Sequence, residues 1–177
     1  MAAVAAALAV LVLSTPALAD VNRSGIGAGV TFGAVDSDAS DEGESFTGAT
    51  VFIKAGFSDA WGLLFSYRRL ESEDPVTAIF GENEIYEQLS VHAVRTWRAD
   101  KVVRPHLKFG LARTEFETEN FLSLTASDDG VGASLGGGFE AGTQRVAFLG
   151  DVDYSLVELF GEDFLFVNLT AGIIFKF

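Results

Sequence analysis

Apolar residues alternate with small or polar ones, with a period of two, through eight successive blocks of this 177-residue chain. In the first block, Ile26, Val30 and Phe32 are at even positions, and Gly25 and Gly27 are at odd positions. This is the period of a β-strand, in which successive side chains point to opposite faces. Each block is about ten residues long, which is the length that a tilted strand needs to cross a bilayer. The pattern therefore predicts an all-β fold of eight strands.

The composition agrees with strands and tight turns. The chain contains 19 glycines and 16 phenylalanines but only one methionine and three prolines, a profile more typical of strands than of helices. Cysteine is absent, which excludes disulfides, thiolate metal sites and cysteine nucleophiles together. The length suits a single domain.

The N-terminal segment differs from the rest of the chain. A nearly continuous apolar run covers residues 2–13, and the small-x-small sequence Ala17-Leu18-Ala19 follows it. We therefore predict a signal peptide over residues 1–19, cleaved after Ala19, and one mature domain over residues 20–177. The alternative is an N-terminal anchor helix, which is less favoured because the run is short for a membrane span.

The second face of the strands carries small residues and charges. We predict that these polar side chains form a network inside a barrel: Lys54, Arg68, His92, Arg104, His106, Lys108, Glu140, Asp151 and Asp153. Charges inside a narrow interior must be paired, and the bulky apolar face would then contact lipid. Because only helices and closed barrels leave no backbone group unpaired in hydrocarbon, we predict an eight-stranded antiparallel up-and-down transmembrane β-barrel. A soluble sandwich or a lipocalin-like barrel, with its apolar side chains inside, is the alternative.

The predicted connections alternate between short and long. Short turns are expected at residues 58–60, 98–100 and 143–145, and long loops at 36–46, 70–84, 115–129 and 157–163. The long loops contain 18 of the 25 acidic residues and no Lys or Arg. Short turns on the periplasmic side and longer loops outside are typical of outer-membrane barrels. An acidic outer rim would repel nucleic acid and other polyanions and could gather divalent cations, although simple solvation of exposed loops also explains the charge.

The two histidines are candidates for a site. If the turn between the fourth and fifth strands centres on Ala99, Leu89 lies opposite Phe109 and His92 lies opposite His106. Neighbouring histidines could bind a metal or sense pH. We favour a role as polar filler within the ion-pair network, and the sequence assigns no metal or cofactor site.

The last eight residues carry the most specific motif. Thr170, Gly172, Phe175 and the terminal Phe177 match the spacing of the β-signal of bacterial outer-membrane proteins, which this segment resembles. The mature chain as a whole resembles the small eight-stranded barrels of the OmpA/OmpX type, in the outer-membrane β-barrel or porin-like group. The resemblance implies a bacterial outer-membrane location. It also implies contact with outer-membrane lipid and lipopolysaccharide, periplasmic chaperones and the barrel assembly machinery.

The resemblance leaves three functions to compare. Lipid A deacylases of this fold carry a His-x-Ser pair, but here the histidines read His92-Ala93-Val94 and His106-Leu107-Lys108, so no catalytic residue is assigned. An eight-stranded interior is just wide enough to be filled by side chains, which favours a structural or surface-interaction protein that acts through its acidic extracellular loops. The alternative is a narrow channel or a transporter of small hydrophobic molecules.

A glycine pattern in the first strand keeps a channel among the possible functions. Glycines recur on the inward parity of the first strand, at Gly25, Gly27, Gly29 and Gly33. Because glycine has no side chain, such a track could leave space for a thin water path along the barrel wall.

Overall fold

The computed structural model describes residues 24–37, 44–58, 60–72, 83–97, 101–119, 125–143 and 145–177, and in them eight strands form a closed barrel. The strands are β1 (Gly25–Ser37), β2 (Glu44–Gly56), β3 (Trp61–Ser72), β4 (Asn83–Thr96), β5 (Val103–Glu119), β6 (Thr125–Gly142), β7 (Val146–Leu159) and β8 (Glu162–Lys176). Each strand pairs antiparallel with the next, and β8 pairs with β1. The predicted eight-stranded up-and-down barrel is confirmed. The predicted signal peptide lies outside the described residues.

Closure leaves no free sheet edge. The pairs followed once around the barrel from Gly25 lead back to Val35, which is ten residues further along β1, so the shear number is ten. Strands in such a barrel tilt by roughly 35–45° from its axis. Within the described parts of the chain, no helix is long and apolar enough to cross a membrane.

The two faces of the wall differ as the alternation predicts. Outward side chains are large, apolar and exposed, for example Ile26 at 53%, Leu135 at 62% and Phe175 at 57%. Inward side chains are buried, and Lys108 and Asp153 are both 0% exposed. Because an exposed apolar surface of this extent is unfavourable in water, the outward face requires lipid.

Two predicted loops are shorter than expected. β5 continues to Glu119 and β6 starts at Thr125, so most of the predicted loop at 115–129 is paired strand. The predicted loop at 157–163 is a two-residue hairpin turn at Phe160 and Gly161, which have φ angles of 54° and 79°. The prediction was wrong because it followed the apolar alternation, which ends where lipid contact ends. The backbone ladder continues beyond that point.

The predicted register between β4 and β5 is also wrong. His92 pairs with Gly110, Leu89 with Arg113, and Thr96 with His106. The connection covers residues 97–102, so the observed pairing is shifted by four positions relative to the pairing that a turn centred on Ala99 would give. Alternation cannot detect this error, because a shift by an even number of residues leaves every side chain on its original face.

The barrel has two distinct ends. We call the turn end the one where β2 leads to β3, β4 to β5 and β6 to β7, and where Phe177 lies. The loop end is the opposite one, where β1 and β2 are separated by residues 38–43 and β3 and β4 by residues 73–82. The hairpin turn between β7 and β8 also lies at the loop end.

Candidate functional site

The lumen gathers the polar residues that the alternation placed on the inward face. Lys54, Arg68, His92, Arg104, His106, Lys108, Glu140, Asp151 and Asp153 are each at most 7% exposed. They separate into a group near the turn end and a group in the middle of the barrel.

Glu140 is the centre of the turn-end group. Its carboxylate accepts hydrogen bonds from the ammonium groups of Lys54 and Lys176, and Arg104 Nε lies 3.7 Å from Glu140 Oε2. Lys54 is on β2 and Glu140 on β6, so this contact crosses the barrel between strands that are four apart among eight. Lys176 is absent from the predicted network, although its inward parity on β8 was a usable signal.

The central group is a chain of charge-assisted hydrogen bonds. Arg68 Nη2 donates to Asp153 Oδ2 over 2.6 Å, and Lys108 Nζ donates to the same oxygen over 3.3 Å. Lys108 also donates to Asp151, whose other oxygen lies 3.4 Å from His106 Nε2. Arg68 on β3 and Asp153 on β7 again face each other across the barrel. These contacts tie opposite walls together.

The structure separates the two histidines. His92 Nε2 lies 2.8 Å from the Ser134 hydroxyl, which also accepts a hydrogen bond of 3.0 Å from Ser155. His106 contacts Asp151 instead. The prediction that His92 and His106 are opposite neighbours was wrong because the register is shifted. In the described ranges, no group of three or more His, Asp or Glu side chains is placed to hold a metal ion.

The His92–Ser134 contact resembles a base and a nucleophile, but it is enclosed. His92 is 0% and Ser134 4% exposed, so a substrate cannot reach the hydroxyl without opening the barrel. A catalytic pair must come within hydrogen-bond reach of a bound substrate. The contact therefore satisfies two polar groups inside the wall, which buried polar groups require.

Buried apolar side chains form a layer in the lumen near each end. The loop-end layer consists of Val35, Phe46, Leu70, Tyr86, Val157, Leu159 and Phe166. Its rings pack tightly, with centroids of Phe46 and Tyr86 4.6 Å apart and those of Tyr86 and Phe166 5.3 Å apart. The turn-end layer consists of Phe52, Leu64, Val94, Ala147, Leu149 and Ile174. Phe52 and Leu64 are large apolar side chains at inward positions, where most other side chains are small or polar. Their packing in the turn-end layer explains why they are there.

The inward glycine track is filled. A side chain at Gly27 would overlap the Phe52 ring, and one at Gly25 would meet Ile174 at 3.0 Å. At Gly33 the neighbours are Asn168 at 2.9 Å and Leu70 at 3.4 Å. The absence of side chains therefore makes room for large residues from other strands. The space that this track could have left for a thin water path is occupied at Gly25, Gly27 and Gly33.

The residues of the predicted β-signal lie on both faces of β8. The Thr170 hydroxyl lies 2.8 Å from that of Thr31 inside the barrel, and a side chain at Gly172 would meet the Phe52 ring at 3.1 Å. Phe175 and Phe177 point outward and are 57% and 53% exposed. Recognition of this segment by assembly machinery stays a prediction.

A closed barrel with an apolar outward face and a filled, ion-paired interior defines an integral β-barrel protein of the outer membrane. A family model described as "Outer membrane protein beta-barrel domain" matches residues 5–177, and the chain belongs to this family. The protein is therefore located in the bacterial outer membrane. A search of curated proteins finds no significant match.

Solved structures agree on the fold. Neisserial surface protein A superposes with a TM-score of 0.74 at 13% identity, covering 87% of this chain and 97% of that one. Ail, the attachment invasion locus protein of Yersinia pestis, gives 0.62 at 18% identity, covering 88% and 98%. The N-terminal β-barrel domain of Pseudomonas aeruginosa OprF gives 0.50 at 16% identity, covering 84% and 97%. At these identities the likeness extends to the fold alone.

Proposed function

We propose that this protein is a sealed outer-membrane barrel with a structural or surface-interaction role, which presents an acidic loop end to the outside of the cell. The observation that carries the proposal is the apolar layer at the loop end, together with the buried ion pairs that cross the lumen nearer the turn end. A dry apolar constriction does not pass ions. A channel or transporter is correspondingly less favoured.

The polar interior supports closure as well. Among the described residues, five cations (Lys54, Arg68, Arg104, Lys108 and Lys176) and three carboxylates (Glu140, Asp151 and Asp153) lie inside, each at most 9% exposed. Two of their contacts, Lys54 with Glu140 and Arg68 with Asp153, join opposite walls of the barrel, so a permeating ion would have to break them. Removing one partner from a buried ion pair is costly, which makes spontaneous opening rare.

The purified barrel is expected to be silent in planar bilayers. At protein doses that give frequent steps with a known porin, we expect no stepwise current in 1 M KCl, because the loop-end layer and the buried ion pairs block the lumen. A variant of a lipid-facing residue, Phe32→Ala, serves as a matched control and is also expected to be silent. Reproducible single-channel steps from the wild-type protein would contradict the sealed-barrel proposal and favour the channel.

The charge of the loop end supports a surface role. The outward face there carries Arg69 and Arg113, each paired with acids: Arg69 with Glu71 at 3.4 Å, and Arg113 with Glu115 at 2.8 Å. The remaining charges among its described residues are acidic. The names of two similar structures, a surface protein and an attachment invasion locus protein, are compatible with a surface role. Ail has also been solved with the heparin analogue sucrose octasulfate, whereas we expect this acidic rim to repel such polyanions. We extend the proposal to divalent cations at the acidic loops.

Protease sites inserted at the two ends test the orientation. A short protease site placed between Phe160 and Gly161 is expected to be cut on intact cells, because that hairpin turn lies at the loop end. The same site placed after Thr143, at the turn end, is expected to be cut only after the outer membrane is permeabilised. The reverse pattern would invert the orientation and remove the basis for an external acidic surface. Heat-dependent gel migration verifies that both variants fold.

The assembly route is part of the same proposal. β8 pairs with β7 on one side and with β1 on the other, so it is one of the two strands that close the barrel. An apolar strand with free edges aggregates in water, which gives a physical reason for chaperones before closure. The terminal Phe175 and Phe177 on its outward face are the groups that we expect the barrel assembly machinery to recognise.

The enclosed His92–Ser134 contact supports a non-enzymatic role. It has no route to a lipid or a soluble substrate, because both side chains point into the filled lumen. We therefore do not favour a lipid A-modifying activity.

A further inference from the structure

The loop end contains a pocket that the sealed-barrel proposal does not use. The pocket has a volume of about 240 Å³ and lies on the outer side of the loop-end layer, from which Tyr86 forms part of its wall. Phe160, which is 54% exposed, also lines it, so the pocket opens to solvent. An apolar cavity of about 150 Å³ is large enough to bind benzene. This pocket therefore has room for one ring and a short side arm.

The pocket wall is largely aromatic. Tyr86, Phe116, Phe160 and Phe164 line it. The centroids of Tyr86 and Phe116 are 4.8 Å apart, and those of Phe116 and Phe160 are 5.6 Å apart in an edge-to-face arrangement. Rings held in this way present both faces and edges to a guest, and the faces of aromatic rings attract cations.

Two carboxylates belong to the same lining. Glu44, at the start of β2, is exposed, and Glu84, near the start of β4, is partly buried. Among the described residues that line the pocket, none is Lys, Arg or His. A negatively charged guest would therefore meet only repulsion, whereas a protonated amine would have a carboxylate partner.

The acidic residues around the pocket also favour a positively charged ligand. Asp128, Glu158, Glu162 and Asp163 are at the loop end, close to the turn at Phe160. Asp128 also accepts a hydrogen bond from the backbone N–H of Phe160, which ties that ring's position to β6. A concave site surrounded by one sign of charge concentrates ligands of the opposite sign.

From the volume, the rings and the carboxylates together, we propose that this pocket binds small organic cations that combine one ring with a protonated amine. The ring would pack among Phe116, Phe160 and Phe164, and the ammonium group would lie at Glu44 and Glu84. Such a site is independent of conduction through the lumen, since the loop-end layer separates the pocket from the ion-pair chain. The bilayer experiment therefore does not test this proposal, and either result there leaves it unchanged.

Three ligands of one shape and different charge provide the test. Isothermal titration of the folded full barrel in detergent micelles, with the heat of empty micelles subtracted, compares 2-phenylethylamine, 2-phenylethanol and 3-phenylpropanoate. We expect the amine to bind at least tenfold more tightly than the alcohol and the carboxylate to give no binding heat. Equal affinities for the amine and the alcohol, or no binding of the amine up to its solubility limit, would overturn the proposal.

Variants locate the site. The double variant Glu44→Gln/Glu84→Gln is expected to lower amine affinity at least tenfold and to leave alcohol affinity unchanged, whereas Phe116→Ala is expected to weaken both. Glu158→Gln is the matched control, because Glu158 is an exposed acid at the same end that is not part of the pocket lining. We expect it to change amine affinity by less than twofold. If Glu158→Gln loses as much affinity as the double variant, the binding reflects general charge attraction and the proposed site is wrong. Heat-dependent gel migration confirms that each variant is folded.

Discussion

Replacing Glu140 by glutamine is expected to lower the free energy of unfolding by about 3–5 kcal/mol, the usual cost of removing one partner from a buried ion pair. Glu140 is 2% exposed and is the shared partner of Lys54, Lys176 and Arg104. Glutamine has nearly the same shape but no charge. The three cations would then remain together in the lumen without a counter-charge. Denaturant titration of the barrel refolded in lipid vesicles measures the loss.

Two further variants decide whether charge is the cause. Glu71→Gln removes an ion pair with Arg69 whose side chains are 65% and 50% exposed, and it is expected to cost less than about 1 kcal/mol. Adding Lys54→Met to Glu140→Gln removes one uncompensated cation, so the double variant is expected to be more stable than Glu140→Gln alone. If Glu140→Gln and Glu71→Gln cost the same, the buried cluster does not stabilise the barrel as proposed.

A second large effect is expected at Gly132, where β6 and β7 approach closely. A Cβ atom at this inward position would overlap the Leu156 carbonyl oxygen and would lie 2.6 Å from the carbonyl carbon. These are backbone atoms, so the clash cannot be relieved by a side-chain rotation. We expect Gly132→Val to prevent closure of the barrel or to cost more than about 4 kcal/mol, which places it among the most damaging single substitutions.

The neighbouring Ala133 provides the control. It is on the same strand, points outward and is exposed, so Ala133→Val adds the same side chain on the lipid side. We expect a change within about 0.5 kcal/mol for this variant. The fraction of heat-modifiable, folded protein on a gel and the denaturant midpoint of each variant measure the difference. Similar folded fractions for the two variants would mean that the backbone near Gly132 can move to accommodate a side chain, which contradicts the prediction.

Much of the architecture could be predicted from the alternation. It identified eight strands, the outward position of residues such as Leu107 and Phe109, and the inward position of Lys108 and Asp153. Phe52 and Leu64 break the alternation, and these side chains belong to the turn-end layer. The predicted loops at 115–129 and 157–163 were wrong, because beyond the lipid contact the outward side chains become polar while inward ones such as Val157 stay apolar and buried. The lipid-facing pattern therefore ends there, although the backbone pairing persists.

The partners inside the lumen were beyond the reach of the alternation. Lys54 and Glu140 are 86 residues apart in sequence, and Arg68 and Asp153 are 85 apart, yet each pair joins opposite walls. Which residues meet across the lumen depends on the register of every intervening strand pair and on the shear of ten. His92 illustrates this dependence: an even shift of the β4–β5 register placed it opposite Gly110 instead of His106 without changing its face, and its hydrogen-bond partner is Ser134 on β6.

The sequence by itself determined the strands and their two faces, because side chains alternate strictly along a strand and the transfer of bulky apolar groups out of water decides which face meets lipid. Only the tertiary structure decided which charges pair, that apolar layers lie near both ends of the lumen, and that a pocket lies on the outer side of one layer. The physical reason is that these features depend on how far along the barrel axis each inward side chain lies. In a tilted, closed wall that position is set by the registers of all eight strand pairs, and the alternation of side chains along a strand contains no information about it.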